Sequence, residues 1–183
     1  MRKRTIYEGR IINVRVYEGR LPGREGEARR EIVEHRGAAA ILAFVEGEEE
    51  EEGGRKVVMV EQDRFPHGRT LEIPAGTLEE GEGPSACAAR ELEEETGYLA
   101  GKMEPLVSFY PSIGYSTEII HCFVATDLRP ATDNGRCRRG PDDDECITVH
   151  MMDWEEVLRM ARSGRLQDSK TICAVLTYAA GGR

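Results

Sequence analysis

Apolar and polar positions divide this chain into short β-like runs, one helical run in the middle and helical runs near the end. Residues 5 to 20, Thr-Ile-Tyr-Glu-Gly-Arg-Ile-Ile-Asn-Val-Arg-Val-Tyr-Glu-Gly-Arg, are β-branched, partly alternating and punctuated by glycine. That pattern predicts a hairpin of short strands. A second strand pair is expected around Arg29 to His35. Ala38 to Val45 and Lys56 to Gln62 are almost continuously apolar, as strands covered on both faces should be. Further strands are predicted over Val107 to Tyr110, Thr117 to Ala125 and Ile147 to Met151. The period turns helical from Pro84 to Thr96: Gly83 suits the N-cap, Pro84 the first helical position and Gly97 the left-handed residue past the end. Asp153 starts a helix through Ala161, and Asp168 caps a last one through Ala180. No internal repeat is present. The organisation predicted is an N-terminal antiparallel β subdomain over residues 1–36 and an α/β (α+β) domain with a mixed sheet over 37–183.

Charge narrows the choice of partner. A net charge of −9 over 183 residues leaves no broad basic footprint for nucleic acid. The acidic run Glu46 to Glu52, interrupted by Gly47 and followed by Gly53-Gly54, reads as a solvated loop between two strands. No apolar run approaches the ~20 residues that cross a bilayer. The start, Met1 to Tyr7, has a basic flank without the apolar stretch of a signal peptide. A soluble cytoplasmic protein without nucleic-acid or membrane partners is expected. Cys87, Cys122, Cys137, Cys146 and Cys173 form no zinc-type spacing, so free thiols are the expected state, with a bridge between Cys137 and Cys146, which flank one loop, as the alternative. His35, His67, His121 and His150 are scattered and read as structural or exposed. Cys87 and Trp154 read as packing residues.

The chemistry concentrates in one segment, Gly76-Thr-Leu-Glu-Glu-Gly-Glu82-Gly-Pro-Ser-Ala-Cys-Ala-Ala-Arg90-Glu91-Leu92-Glu93-Glu94-Glu95-Thr96-Gly97-Tyr98. On a helix, Glu91, Glu94 and Glu95 stand on one face, while Ala88, Leu92 and Thr96 form a separate, largely apolar stripe. Like charges at these spacings repel and cost helix stability. A solvated acidic face is the bland reading. A hard divalent cation held by oxygen ligands is the other. Two features favour the cation: the loop Ile73-Pro-Ala-Gly76 can bring backbone carbonyls to a metal, and Arg90, four residues before Glu94, can hold that carboxylate in place.

These residues resemble the Nudix box: Gly, five residues, Glu, seven residues, Arg-Glu, an aliphatic, any residue, Glu-Glu, any residue, Gly and an aliphatic. Each specified position from Gly76 to Gly97 matches, and Tyr98 stands where the last aliphatic is usual. The resemblance implies a Nudix α/β/α sandwich. It implies metal ligands at Glu91 and Glu95, with Glu94 sharing the metal or acting on water, and a carbonyl ligand at Ala75. Gly76, Glu82, Arg90 and Gly97 take structural roles in the motif. Mg²⁺ is the implied cofactor, with Mn²⁺ as a substitute.

The flanking segments resemble the ADP-ribose pyrophosphatase subgroup. They are Val60-Glu61-Gln62-Asp63-Arg64-Phe65 with Leu71 to Gly76, then Ser108 to Glu118, where Ile113 replaces the subgroup's marker proline, and the closing Gly164 to Ile172. The resemblance implies hydrolysis of the pyrophosphate bond of ADP-ribose to AMP and ribose 5-phosphate. Arg36 and Arg64 would contact phosphate or ribose, and Ser112 and Glu118 the terminal sugar. Aligning the strand from Ile147 puts Asp143 at the position of a general base and Glu145 at that of a further metal ligand. The N-terminal strands, with Ile6, Ile11, Ile12, Val14 and Val16, should exchange within a homodimer and complete each other's site. Two other activities fit the same residues: a GDP-mannose or other nucleotide-sugar pyrophosphatase, and a non-catalytic Nudix domain that senses a nucleotide metabolite. Sensors of that kind often lose a box carboxylate, and here none is lost.

Overall fold

A computed structural model describes residues 1–20, 22–23, 25–45, 54–133, 136–137 and 146–181. The chain begins with β1 (Arg2–Glu8), β2 (Asn13–Arg20) and β3 (Glu27–Glu34), a three-stranded antiparallel sheet in the order β1-β2-β3. The expected second pair around Arg29 to His35 is instead the single strand β3. It pairs with β2 from Asn13↔Glu34 to Arg20↔Glu27, because β2 already has β1 on its other edge.

The second sheet holds β4 (Ala38–Val45), β5 (Lys56–Arg64), β6 (Gly68–Glu72), β7 (Ala75–Thr77), β8 (Tyr98–Phe109), β9 (Ile120–Pro130) and β12 (Thr148–Asp153). Short β10 (Thr132–Asp133) and β11 (Arg136–Cys137) pair with each other. The main order is β12-β5-β4-β9-β8, with β6 on β5 and β7 on β4. Only the β4–β9 pairing is parallel among the described strands, so the sheet is mixed. Helices α1 (Pro84–Thr96), α2 (Trp154–Ser163) and α3 (Ser169–Ala179) complete the fold.

Alternation along β4 makes the sandwich. Ala38, Ala40, Leu42 and Phe44 enter the core shared with Val157, Leu158, Ala174 and Val175 of α2 and α3. Ala39, Ile41 and Ala43 enter the opposite core with Cys87, Ala88 and Leu92 of α1. Both faces of β4 are therefore dry, as its unbroken apolar run requires. Trp154 packs edge-on to Phe44 and Tyr178 at centroid distances of 5.4 and 5.3 Å, so it anchors the α2–α3 side. These layers match the α/β/α sandwich expected from the sequence: one helix on one face of a mixed sheet, two on the other.

Three elements differ from the sequence pattern. β8 starts at Tyr98 rather than Val107; as an edge strand it accepts polar side chains and Pro105, where its register with β9 shifts. β9 starts at Ile120 rather than Thr117. The Thr117 hydroxyl instead accepts from the His35 N–H at 3.0 Å and donates to the His35 carbonyl at 3.2 Å, tying this turn to the end of β3. Of the loop expected over Ile73 to Gly76, only Ile73 and Pro74 lie between strands; Ala75 and Gly76 belong to the short strand β7, which follows β6. The acidic run 46–52 and the acidic residues 142–145 lie outside the described residues. Among the described residues no helix is long and apolar enough to cross a membrane.

Candidate active site

The sheet divides where the site forms. β5 pairs with β4 only from Ala43↔Val58 to Val45↔Lys56; beyond that β5 turns to β6, and β4 takes β7 as its neighbour. A cleft of about 650 Å³ opens at this division. Of the site residues expected from sequence, Arg36, Arg64, Ala75, Gly76, Arg90, Glu91, Glu94, Glu95 and Glu118 all line it. Ser112 does not, although its neighbour Pro111 does; the Ser112 carbonyl accepts from the Tyr115 and Ser116 N–H groups within the turn. Asp143 and Glu145 lie outside the described residues.

Helix α1 carries the acidic wall. Gly83 is its N-cap and Pro84 follows, while Gly97 closes it at φ 71°, its N–H donating to the Glu93 carbonyl at 2.8 Å. Leu92 and Ala88 are fully buried and fix the helix rotation about its axis, which turns Glu91, Glu94 and Glu95 to the cleft. Glu95 is itself buried and accepts from the Ala75 N–H at 2.9 Å. A Cβ on Gly76 would lie 1.9 Å from Oε1 of Glu91, so a side chain there would displace this carboxylate. Cys87 is buried with its thiol 3.6 Å from the Gly76 carbonyl, and burial pushes its pKa up to about 12, so it packs and does not react.

Arg90 is the centre of this wall. Nε and one terminal nitrogen donate to the two oxygens of Glu82, both at 2.9 Å. The other terminal nitrogen donates to Glu91 at 2.6 Å and to Glu94 at 2.9 Å, and a further bond reaches the Thr77 carbonyl at 3.2 Å. The guanidinium thus offsets the repulsion among the glutamates and ties the 77–82 turn to the helix. Glu82 also accepts from the Glu79 N–H at 2.9 Å. The Arg90 hydrogen bonds hold the Glu82 carboxyl at about 2, well below the usual carboxylate range.

The opposite wall is cationic, and part of it escaped sequence reading. Arg64 makes a two-point pair with Glu72, at 2.9 and 2.8 Å, and Lys170 reaches the same carboxylate at 2.5 Å. Glu72 is 2% exposed. Burial alone would raise its pKa strongly, but the Arg64 hydrogen bonds and the Lys170 charge outweigh it and hold the carboxyl at about 2. The signal was available: one glutamate inside the apolar run Leu71-Glu72-Ile73 must be paired if buried. Asp168 caps α3 through the Thr171 N–H at 3.0 Å and holds Lys170 at 3.0 Å. Arg10 and Ile11, in the turn between β1 and β2, line the cleft of their own chain. Glu118 lies 3.8 Å from Nδ1 of His35, a nitrogen that accepts from the Gly37 N–H at 3.0 Å.

These pKa values set an acid limit. Glu72 and Glu82 have folded values near 2 against an ordinary 4.5, so the folded state binds fewer protons than the unfolded one. Their stabilisation is complete above pH 4.5 and is lost as pH falls toward about 2. Urea unfolding should give a stability that is level above about pH 5 and drops through that window, with a shallower drop for Glu72→Gln. An identical pH profile for that variant would contradict the assignment.

The donor set suits a hard divalent cation. Glu91, Glu94 and Glu95 offer carboxylate oxygens beside the Ala75–Gly76 backbone, and glycine leaves no side chain between them. Each glutamate is engaged by a protein donor, and no three acidic or other metal-ligating side chains converge as a ligand group among the described residues.

Comparison with known proteins bears on this cleft. The family described as NUDIX domain matches residues 34–174. The chain is 41% identical over 174 residues to an ADP-ribose pyrophosphatase of Bacillus subtilis (strain 168), covering 94% of this chain and 88% of that one. It is also 41% identical over 171 residues to a methanol dehydrogenase activator of Bacillus methanolicus, covering 93% and 86%. A GDP-mannose pyrophosphatase of Cronobacter sakazakii is 32% identical over 164 residues, covering 83% and 80%.

Proposed function

We propose, for a chain that belongs to the Nudix family, that the cleft hydrolyses the pyrophosphate bond of a nucleoside diphosphate linked to a sugar, with ADP-ribose as substrate and AMP and ribose 5-phosphate as products. One observation carries the reading: a single cleft sets the three glutamates of α1 against Arg36, Arg64 and Lys170. A diphosphate needs positive partners for its oxygens, and its hydrolysis needs an activated water held in line with phosphorus. Arg64, fixed by Glu72, presents a preoriented cation to the phosphates. Glu91, Glu95 and the Ala75 carbonyl would hold the divalent cation, Mg²⁺ first and Mn²⁺ as a substitute, with Glu94 sharing it or taking the proton of water. When bound, that cation supplies neutralisation of the diphosphate and a lowered pKa for water. Asp143 as base and Glu145 as further ligand complete the proposal from sequence, and Glu118, which lines the cleft where Ser112 does not, would recognise the terminal sugar.

A site with polar groups on both sides of a diphosphate discriminates against ligands that fill one side. Each buried polar group left unpaired costs about 1–3 kcal/mol, roughly tenfold or more in specificity. ADP-ribose should therefore exceed ATP and dGTP in kcat/KM by well over tenfold. The second reading is GDP-mannose, supported by the similarity to a GDP-mannose pyrophosphatase. Faster cleavage of GDP-mannose than of ADP-ribose would transfer the assignment to it, and preference for a triphosphate would overturn both.

The assembly proposed is a two-fold homodimer formed through the subdomain of residues 1–36. Ile6 and Tyr7 on β1 and Ile11 in the turn that follows are each at least half exposed, apolar surface that a second subunit would cover. Light scattering at micromolar concentration should give twice the 20.4 kDa chain mass, and a fully active monomer would refute the dimer.

A further inference from the structure

The connection from β8 to β9, residues 110–119, borders the cleft near both of its ends, since Pro111 and Glu118 line it. Its middle docks on β3 of the N-terminal sheet. Val33 forms a parallel bridge with Ser116; its N–H donates to the Tyr115 carbonyl at 2.7 Å and its carbonyl accepts from the Thr117 N–H at 3.0 Å. The Thr117 hydroxyl then holds both backbone groups of His35, accepting from the N–H at 3.0 Å and donating to the carbonyl at 3.2 Å. On the other side of Glu118, the Ile119 carbonyl accepts from the Ala38 N–H at 2.9 Å. Gly37 makes room for this approach: it sits at φ 97°, and a Cβ there would lie 3.1 Å from the Ile119 carbonyl oxygen. Glu118 is therefore fixed between two anchored neighbours. Its carboxylate is not used up in the process. Nδ1 of His35, 3.8 Å away, accepts from the Gly37 N–H and has no proton to offer Glu118. A carboxylate on an unanchored turn would give up backbone freedom each time a ligand bound, whereas one held in advance does not.

We infer that Thr117 is a positioning residue for sugar recognition: its hydroxyl fastens the turn that carries Glu118 to β3 of the same chain, so the N-terminal sheet sets the sugar end of its own cleft. This rests on the reading of Glu118 as the group that meets the terminal sugar, and it adds the part that holds Glu118 in place. The sheet then has a role within one chain that is separate from any dimer contact.

The test is calorimetric titration in Mg²⁺ with two non-hydrolysable ligands, α,β-methylene ADP-ribose and α,β-methylene ADP, which lacks the terminal sugar. The proteins are the wild type, Thr117→Val, Thr117→Ser, Glu118→Gln and the double variant Thr117→Val/Glu118→Gln. Valine keeps the shape and the backbone N–H and removes the hydroxyl. Thr117→Val should bind the ADP-ribose analogue about three- to tenfold more weakly and the ADP analogue as the wild type does. Its melting temperature should be unchanged, since Thr117 is exposed. Serine keeps the hydroxyl, so Thr117→Ser should bind both ligands as the wild type does. Because Thr117 acts through Glu118, the double variant should bind the ADP-ribose analogue no more weakly than Glu118→Gln alone. Wild-type affinity of Thr117→Val for the ADP-ribose analogue, an equal loss for both ligands, or additive losses in the double variant overturns the inference. If Glu118→Gln loses the preference for the ADP-ribose analogue while Thr117→Val keeps it, only the role of Thr117 falls. If the wild type binds neither ligand, the functional reading falls with it.

Discussion

Glu94→Gln should lower kcat by about 10²–10⁴-fold, the range for removing a group that acts on the proton of the attacking water. The substitution keeps the side-chain size and removes one charge from a face that also carries Glu91 and Glu95. On an isolated helix that removal would be stabilising, because like charges three and four residues apart repel. Here Arg90 already offsets the repulsion through its 2.9 Å bond to Glu94, so the variant loses an ion pair as it loses a repulsion. The melting temperature should therefore change little. Near-normal turnover at saturating Mg²⁺ would remove Glu94 from the chemistry. A large fall in melting temperature would instead make its role structural.

Arg90→Leu should produce the largest loss of stability of any single change in the cleft. Arg90 is 14% exposed at its side chain and neutralises Glu82, Glu91 and Glu94 together. Removing one partner of a buried ion pair costs about 3–5 kcal/mol. The acids here are 13–23% exposed, so water recovers part of that, and about 2–3 kcal/mol is expected. For a chain of this length that corresponds to about 4–12 °C in melting temperature. Turnover should fall as well, because Glu91 and Glu94 lose the group that orients them and the 77–82 turn loses its tie to the helix. Arg90→Lys should recover only part of the stability, since an ammonium cannot make the two-point contact with Glu82. Wild-type melting of Arg90→Leu, measured by differential scanning calorimetry, would mean that these contacts contribute nothing.

Much of this architecture was legible because its signals are local. The unbroken apolar run from Ala38 to Val45 gives a strand with two dry faces, and it divides alternately between the two cores. Gly83, Pro84 and Gly97 mark both ends of α1, and the spacing of Glu91, Glu94 and Glu95 places them on one face. What sequence did not show depends on partners distant in the chain. β8 is an edge strand whose apolar pattern is interrupted by Gly101, Lys102, Glu104 and Pro105, and β6 and β7 are too short to show a period. Lys170 enters the cationic wall only because the start of α3 meets the end of β6 at Glu72, nearly a hundred residues away in sequence. Gln62 looks like an ordinary polar residue at a strand end until the division of the sheet buries it. Arg10 and Ile11 belong to a turn with no local mark of a site, and the fold brings them to the cleft of their own chain.

The central claim is that this cleft breaks the phosphorus–oxygen–phosphorus link of a nucleotide sugar, and the identity of the bond cut tests it most directly. ADP-ribose incubated with the protein and Mg²⁺, with products separated by chromatography, should give AMP and ribose 5-phosphate in equal amounts, and a chelator should stop the reaction. Release of ADP and free ribose, or no cleavage of any nucleotide sugar while a triphosphate is cut, would contradict it.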